Sequence, residues 1–213
     1  ILILMGAAWG LSIPLTKITV STGYGQFGLI FWQFVIAVIV LGFVLIVRRK
    51  RPLFERKTIF LFIVLALLGT IFPNSASYVA TYYLPASFIA ILIATVPMFS
   101  FPIAMLMGLE KKDFRRISGL FIGLIGVIIL TGPEASFPDR HLLIFIPLAL
   151  LAPFFYAIEG NYVDKYGTAG QDPIQTFTGA SILGTFLILP VTISTGQWIC
   201  LLYTSPSPRD GRE

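Results

Sequence analysis

Charged side chains are scarce in this sequence. Only 12% of its 213 residues are Asp, Glu, Lys or Arg, whereas 56% are hydrophobic and the mean hydropathy is +0.89. A soluble globular domain usually carries about 25% charged residues. Because so little polar surface cannot cover a water-facing domain, we expect a multi-pass integral membrane protein whose surroundings are the lipid bilayer.

Cysteine and histidine are nearly absent, with one residue of each, Cys200 and His141. A single cysteine excludes an intramolecular disulfide, and a single histidine in a predicted loop leaves no ligand set for zinc. An enzyme inside a helix bundle would also need an acid–base pair, a nucleophile with its base, or metal ligands. No such constellation is found, so we predict a protein that is not an enzyme and uses no cofactor or metal.

The net charge of +5 comes from basic residues that are concentrated in two short segments. Ten of the 15 Lys and Arg residues lie at residues 48–57 and 111–116, and each segment separates long apolar stretches. Cytoplasmic loops of membrane proteins show this pattern, whereas a nucleic-acid-binding protein needs a continuous basic face. We therefore predict no nucleic-acid partner and a cytoplasmic N-terminus, in the cytoplasmic (inner) membrane of a prokaryote.

Uncharged segments of about 20 residues predict the transmembrane helices. The longest segment is long enough for two helices, and we expect them to separate near Pro85, since proline lacks a backbone donor and disfavours helix in the residue before it. In lipid the backbone must satisfy its own hydrogen bonds, which favours an all-α multi-helix bundle. The seven predicted helices are residues 1–20, 27–47, two within 58–109, 117–131, 142–163 and 173–196.

A weak internal repeat relates the sixth and seventh predicted helices to the first and second. A shift of 147 residues places Tyr156 on Trp9 and Gly184 on Ala37. The match lies mainly in hydropathy and small residues, and chance similarity is the alternative. A repeat unit with an odd number of helices is inverted in its second copy, as in many secondary transporters.

Several segments resemble the EamA family of the drug/metabolite transporter superfamily. Residues 9–17 read WGLSIPLTK, similar to the family's first helix, and residues 31–37 read FWQFVIA, similar to its second, with Gln33 in place of the usual arginine. The most specific stretch contains YLPAS at residues 83–87, then Pro97, then GLEK at 108–111, then a glycine-rich helix at 119–126, and the strongest part of the resemblance is residues 84–130.

This resemblance implies ten helices arranged as two inverted five-helix halves. Residues 1–133 would be the first repeat, and residues 142–198 the first two helices of a second repeat whose other three helices are missing from the chain. Residues 201–213 depart from the membrane pattern and resemble translated sequencing-adapter DNA, so we expect a non-native tail. A disordered Ser/Pro-rich tail is the alternative.

The resemblance also implies a secondary transporter that moves a small organic metabolite, such as an amino acid or a related compound, by alternating access. Coupling to a proton or another ion is expected. The alternative is a non-transporting membrane assembly protein or a truncated paralogue. The sequence indicates neither the direction of transport nor the oligomeric state.

Polar and aromatic residues within the predicted helices are the candidates for solute binding, because polar groups inside a membrane are costly. The candidates are Trp9, Lys17, Gln33, Asn74, Ser77, Tyr78, Glu159 and Asn161. We expect the aromatic residues to form walls of a cavity. The segment that follows Pro73 is expected to have a loosened backbone whose carbonyls are open to a solute.

Three of these candidates also have a purely structural explanation. Glu159 is the only carboxylate within a predicted span and could bind a coupling proton, or else lie close enough to the helix end to reach the headgroups. Lys17 could attract an anionic solute or extend to the membrane surface. Gln33 could contact solute or form a hydrogen bond between helices.

Overall fold

The computed structural model describes residues 2–130 and 140–197, and their regular secondary structure is entirely helical. The predicted all-α fold is therefore confirmed, while the predicted tail at residues 201–213 lies outside the described residues. The described α-helices are α1 (Leu2–Ser21), α2 (Gln26–Val47), α3 (Arg56–Ala66), α4 (Phe72–Tyr83), α5 (Ala86–Ile93), α6 (Val96–Leu106), α7 (Phe114–Leu130), α8 (Ile146–Tyr166) and α9 (Pro173–Ser194).

Six helical stretches in this part of the chain are long and apolar enough to cross a membrane. Two of them combine consecutive helices: α3 and α4 form Arg56–Tyr83, and α5 and α6 form Ala86–Leu106. The remaining predicted span corresponds to α7, whose 17 residues reach about 25 Å at 1.5 Å per residue. Seven spans were predicted; the described residues hold six long helices and this shorter apolar one.

The chain breaks between α4 and α5 at the predicted proline. Pro85 has no N–H to donate, and Leu84 before it has extended backbone angles, φ −92° and ψ 150°. The long uncharged segment is thereby divided into two spans, as the sequence predicted.

Helix α9 lies beside α2 and α3, and an aromatic ring from each of these helices packs directly against a glycine of α9. A Cβ atom added at Gly184 would lie 2.5 Å from the ring of Phe34, and one added at Gly179 would lie 2.4 Å from the ring of Phe62. Both phenylalanines are fully buried. Close approach of backbone and ring at small residues is a common way to join helices in lipid.

Replacing Gly184 with Ala is expected to destabilise the bundle by about 1–3 kcal/mol, because the new methyl group overlaps the buried ring of Phe34. The matched control is Gly42→Ala in α2, where the added Cβ meets nothing within 4 Å. Thermal unfolding in detergent should show a lower midpoint for the first variant and an unchanged or higher one for the second. Equal midpoints would contradict the packing described here.

Candidate solute-binding cavity

A cavity of about 610 Å³ is lined by residues of α1, α2, α4, α5, α8 and α9. Six of the eight residues proposed from the sequence line it: Trp9, Gln33, Asn74, Ser77, Tyr78 and Glu159. These residues come from four different helices and are far apart in the sequence. The cavity therefore brings together most of the candidate set.

One wall of the cavity is built on an irregular turn of helix. Between α3 and α4 the chain forms a π-helical turn, Leu67–Ile71, in which the N–H of Phe72 donates to the carbonyl of Leu67. Pro73 follows and is fully buried. Since proline cannot donate to the carbonyl four residues earlier, the backbone loosens before Pro73 and not after it, contrary to the expectation from sequence.

Gly69 in this π turn makes room for the carboxylate of Glu159. A Cβ atom at Gly69 would lie 2.7 Å from Oε1 of Glu159 and 2.8 Å from its Cδ. Gly69 is close to the middle of the 28-residue span Arg56–Tyr83. In the part of the chain that the structure describes, the Glu159 carboxylate has no hydrogen-bond or ion-pair partner.

The position of Glu159 along α8 differs from the expected one. The sequence placed it about four residues from the end of its helix, but α8 continues to Tyr166, seven residues beyond it. Seven residues correspond to about 10 Å of helix. The carboxylate therefore lies against the centre of a neighbouring span and faces the cavity.

A row of hydrogen bonds crosses the cavity wall from α8 through α4 to α2. Tyr156 Oη donates to Asn74 Oδ1 at 3.0 Å, and Asn74 Nδ2 donates to Gln33 Oε1 at 3.0 Å. Tyr78 Oη donates to the same Gln33 oxygen at 3.1 Å. Gln33 thus joins helices and lines the cavity, and its Nε2 donates to none of the described residues.

Tyr156 is the main lining residue that was absent from the sequence-based candidates. Its ring meets that of Trp9 edge to face, with centroids 6.2 Å apart and an interplanar angle of 74°. The internal repeat had aligned these two positions, so the sequence did contain a signal for Tyr156. Gly69 and Thr70 were also missed, because nothing in the sequence marks them as neighbours of Glu159.

The other two candidates, Lys17 and Asn161, do not line the cavity, although Lys17 binds the carbonyl of Thr81, which does. Lys17 Nζ donates to the backbone carbonyls of Thr81 at 2.7 Å and Tyr82 at 2.9 Å, in the last turn of α4. Cations are favoured at this end of a helix, where carbonyls lack helical partners. Asn161 is buried, and its Nδ2 donates to Ser100 Oγ at 2.9 Å, which joins α8 to α6.

At one end of the bundle, two loops are joined by polar contacts. One precedes α9, and the other connects α2 to α3. Asp172 caps α9 by accepting the Gln175 N–H at 2.9 Å and also binds Lys50 Nζ at 2.8 Å. The Lys50 hydrogen bond, with that of the Gln175 N–H, lowers the pKa of Asp172. Gln171 Oε1 accepts the backbone N–H of Leu53 at 3.0 Å. These contacts fix α9 against α2 and α3.

No group of three or more His, Cys, Asp or Glu residues that could hold a metal is present in the described residues. The cavity instead offers one carboxylate, amide and hydroxyl groups, and aromatic faces. Such a set can bind a small polar organic molecule by hydrogen bonds and charge.

Comparison with known proteins gives a family for the chain. Residues 1–132, more than half of the sequence, match the model of the EamA-like transporter family. No curated protein and no solved structure matches the chain. The resemblance seen in the sequence is confirmed, and with the helical bundle it supports a multi-pass membrane protein. The chain belongs to the EamA-like transporter family, whose members are transporters.

Proposed function

We propose that the protein is a secondary transporter of a small organic solute that carries a protonated amino group, such as an amino acid or a related amine. The observation that carries this proposal is the charge of the cavity. Glu159 is the only carboxylate among its described lining residues, and that lining contains no Lys, Arg or His. A partly buried carboxylate without a protein cation is suited to pair with a cation from the solute.

The other lining groups fit the same solute. The faces of Trp9 and Tyr156 attract an ammonium group through their ring quadrupoles. The Nε2 group of Gln33 can donate to a carboxylate or carbonyl oxygen at the opposite end of the solute. A volume of about 610 Å³ is within the usual range for small-molecule sites.

Coupling follows from competition for one group. Glu159 accepts either a proton or the ammonium group of the solute, and not both. Alternating access that exposes this carboxylate to each side in turn would exchange protons for solute. The residue thereby acts as both binding and coupling site, without a cofactor and without a chemical reaction.

Orientation and repeat organisation belong to the same proposal. The loops that follow α2 and α6 carry the basic segments, which supports a cytoplasmic N-terminus in a prokaryotic inner membrane. Trp9 and Tyr156, aligned by the internal repeat, meet beside the cavity. Residues related by a pseudo-two-fold axis between inverted repeats, at 1–133 and from 142 onward, would meet in this way.

A panel of matched solutes tests the proposal. An aliphatic amino acid, the same compound acetylated on its nitrogen, and the corresponding acid without nitrogen are titrated into the purified protein and tested for uptake into proteoliposomes. We expect the compound with a free amino group to bind about tenfold or more tightly than the other two, since those cannot pair with the carboxylate. Uptake should follow the same order. Equal binding of the acid without nitrogen would contradict the proposed solute class.

A further inference from the structure

A second and larger cavity, of about 860 Å³, opens between α3 and the end of α8. It shares no lining residue with the solute cavity described above. Its wall on α3 begins at Arg56 and Lys57 and continues along Ile59, Phe60 and Ile63. Residues at these three- and four-residue spacings lie along one side of a helix, so the groove has a cationic mouth above an apolar strip.

The opposite wall is provided by two tyrosines near the end of α8. The ring centroids of Tyr162 and Tyr166 are 4.8 Å apart, and Tyr166 is largely exposed. Tyrosines at the ends of membrane helices are typical of the headgroup region, where the ring is in apolar surroundings and the hydroxyl group is polar. This end of the groove therefore lies at the depth of lipid phosphates.

The two cations at the mouth are not neutralised by the protein. Arg56 and Lys57 are exposed and form no hydrogen bond or ion pair with any described residue, whereas Lys50 in the loop before α3 is paired with Asp172. Glu55, the carboxylate next to Arg56 in the sequence, does not line the groove. Arg56 is also the first residue of α3, where the helix dipole adds positive potential.

We propose that this groove binds one anionic glycerophospholipid, with its phosphate at Arg56 and Lys57 and an acyl chain along Ile59, Phe60 and Ile63. The apolar strip favours a lipid over a free phosphate. Phe60 is 60% exposed and Ile59 36% exposed, so an acyl chain linked to the bound phosphate can lie along them, whereas a free phosphate ion makes no contact with the strip. Basic pockets between membrane helices bind anionic headgroups in this way.

Thermal unfolding of the purified protein in detergent tests the proposal. We expect phosphatidylglycerol to raise the unfolding temperature by several degrees, phosphatidylcholine with the same acyl chains to have a much smaller effect, and soluble glycerol phosphate to have none. The double variant Arg56→Gln/Lys57→Gln should lose the phosphatidylglycerol effect. The matched control Lys111→Gln/Lys112→Gln removes two exposed charges from the other basic loop and should keep it.

Two further measurements distinguish binding of the lipid in this groove from nonspecific attraction of anionic lipids to the basic loops. Ile63→Trp keeps both charges but fills the apolar strip, and it should abolish the stabilisation by phosphatidylglycerol. Native mass spectrometry of the unaltered protein should show one phosphatidylglycerol retained in the presence of excess phosphatidylcholine. The proposal would be overturned if both double variants lost the stabilisation by phosphatidylglycerol, or if Ile63→Trp kept it. It would also be overturned if native mass spectrometry showed no bound phosphatidylglycerol.

Discussion

Glu159→Gln is expected to weaken binding of the amine-bearing solute strongly while the protein stays folded. The substitution keeps the size of the side chain and removes its charge, so the solute ammonium loses its only anionic partner in the described lining of the cavity. Removing one member of a poorly solvated charge pair costs about 2–5 kcal/mol, which corresponds to at least about a 30-fold weaker affinity. Solute titration of the purified variant, followed by uptake into proteoliposomes, measures the effect.

Stability separates this role from a structural one. The Glu159 carboxylate has no hydrogen-bond partner among the described residues, so Gln should leave the unfolding temperature unchanged or raise it. Asp164→Asn is the matched control, since it neutralises an exposed carboxylate on the same helix outside the solute cavity. A large fall in unfolding temperature for Glu159→Gln, or an equal loss of binding in Asp164→Asn, would contradict a binding role for Glu159.

Gly69→Ala is expected to have the second largest effect on the solute site. The new methyl carbon would lie 2.7–3.1 Å from three atoms of the Glu159 carboxyl group, so this group must move away from the π turn. Displacement of the carboxylate should weaken solute affinity by about tenfold or more, because a charge-assisted hydrogen bond depends on its geometry. Solute titration of the variant at a fixed pH measures the change.

A double-mutant cycle identifies the partner of Gly69. In the unaltered protein, Gly69→Ala forces the end of the Glu159 side chain to move, which should offset part of the stability gained when Ala replaces Gly in a helix. In a Glu159→Ala background the overlap is gone, so the same change should raise the unfolding temperature by more than it does in the unaltered protein. An equal change in unfolding temperature in both backgrounds would show that Glu159 is not the group that Gly69 accommodates.

The sequence was most informative where a single residue type determines the local structure. Pro85 requires an extended residue before it, which predicted the break between α4 and α5. The apolar segments likewise predicted the spans, because bilayer thickness sets their length. The cost of polar groups in lipid then selected Gln33, Asn74 and Glu159, which the structure places around one cavity.

What the sequence did not reveal depends on contacts between distant segments. Lys17 binds carbonyls 64 and 65 residues away, and Asn161 binds Ser100, so no local pattern identifies these partners. The end of α8 was placed too early because charges were taken as the end of the helix. The helix in fact continues past Lys165 to Tyr166, where Gly167, with a positive φ of 69°, caps it.

The π turn was missed for a related reason. Pro73 indicated a disturbed helix. Because a proline removes the hydrogen bond to the carbonyl four positions before it, the irregular turn, with Gly69, lies on the N-terminal side of Pro73. Gly69 becomes functionally interesting only through its contact with α8, which no local pattern predicts.

The pH dependence of solute affinity tests the central claim, that a proton and the solute compete for Glu159. Affinity is measured by titration of the purified protein over a range of pH in which the amino group of the solute stays protonated and the charge of the rest of the solute does not change. We expect the dissociation constant to rise as pH falls, approaching tenfold per pH unit once the carboxyl group is protonated in the free protein. In Glu159→Gln the remaining weak binding should not vary with pH. A dissociation constant that is independent of pH in the unaltered protein, or one that still varies in Glu159→Gln, would contradict competition at this residue.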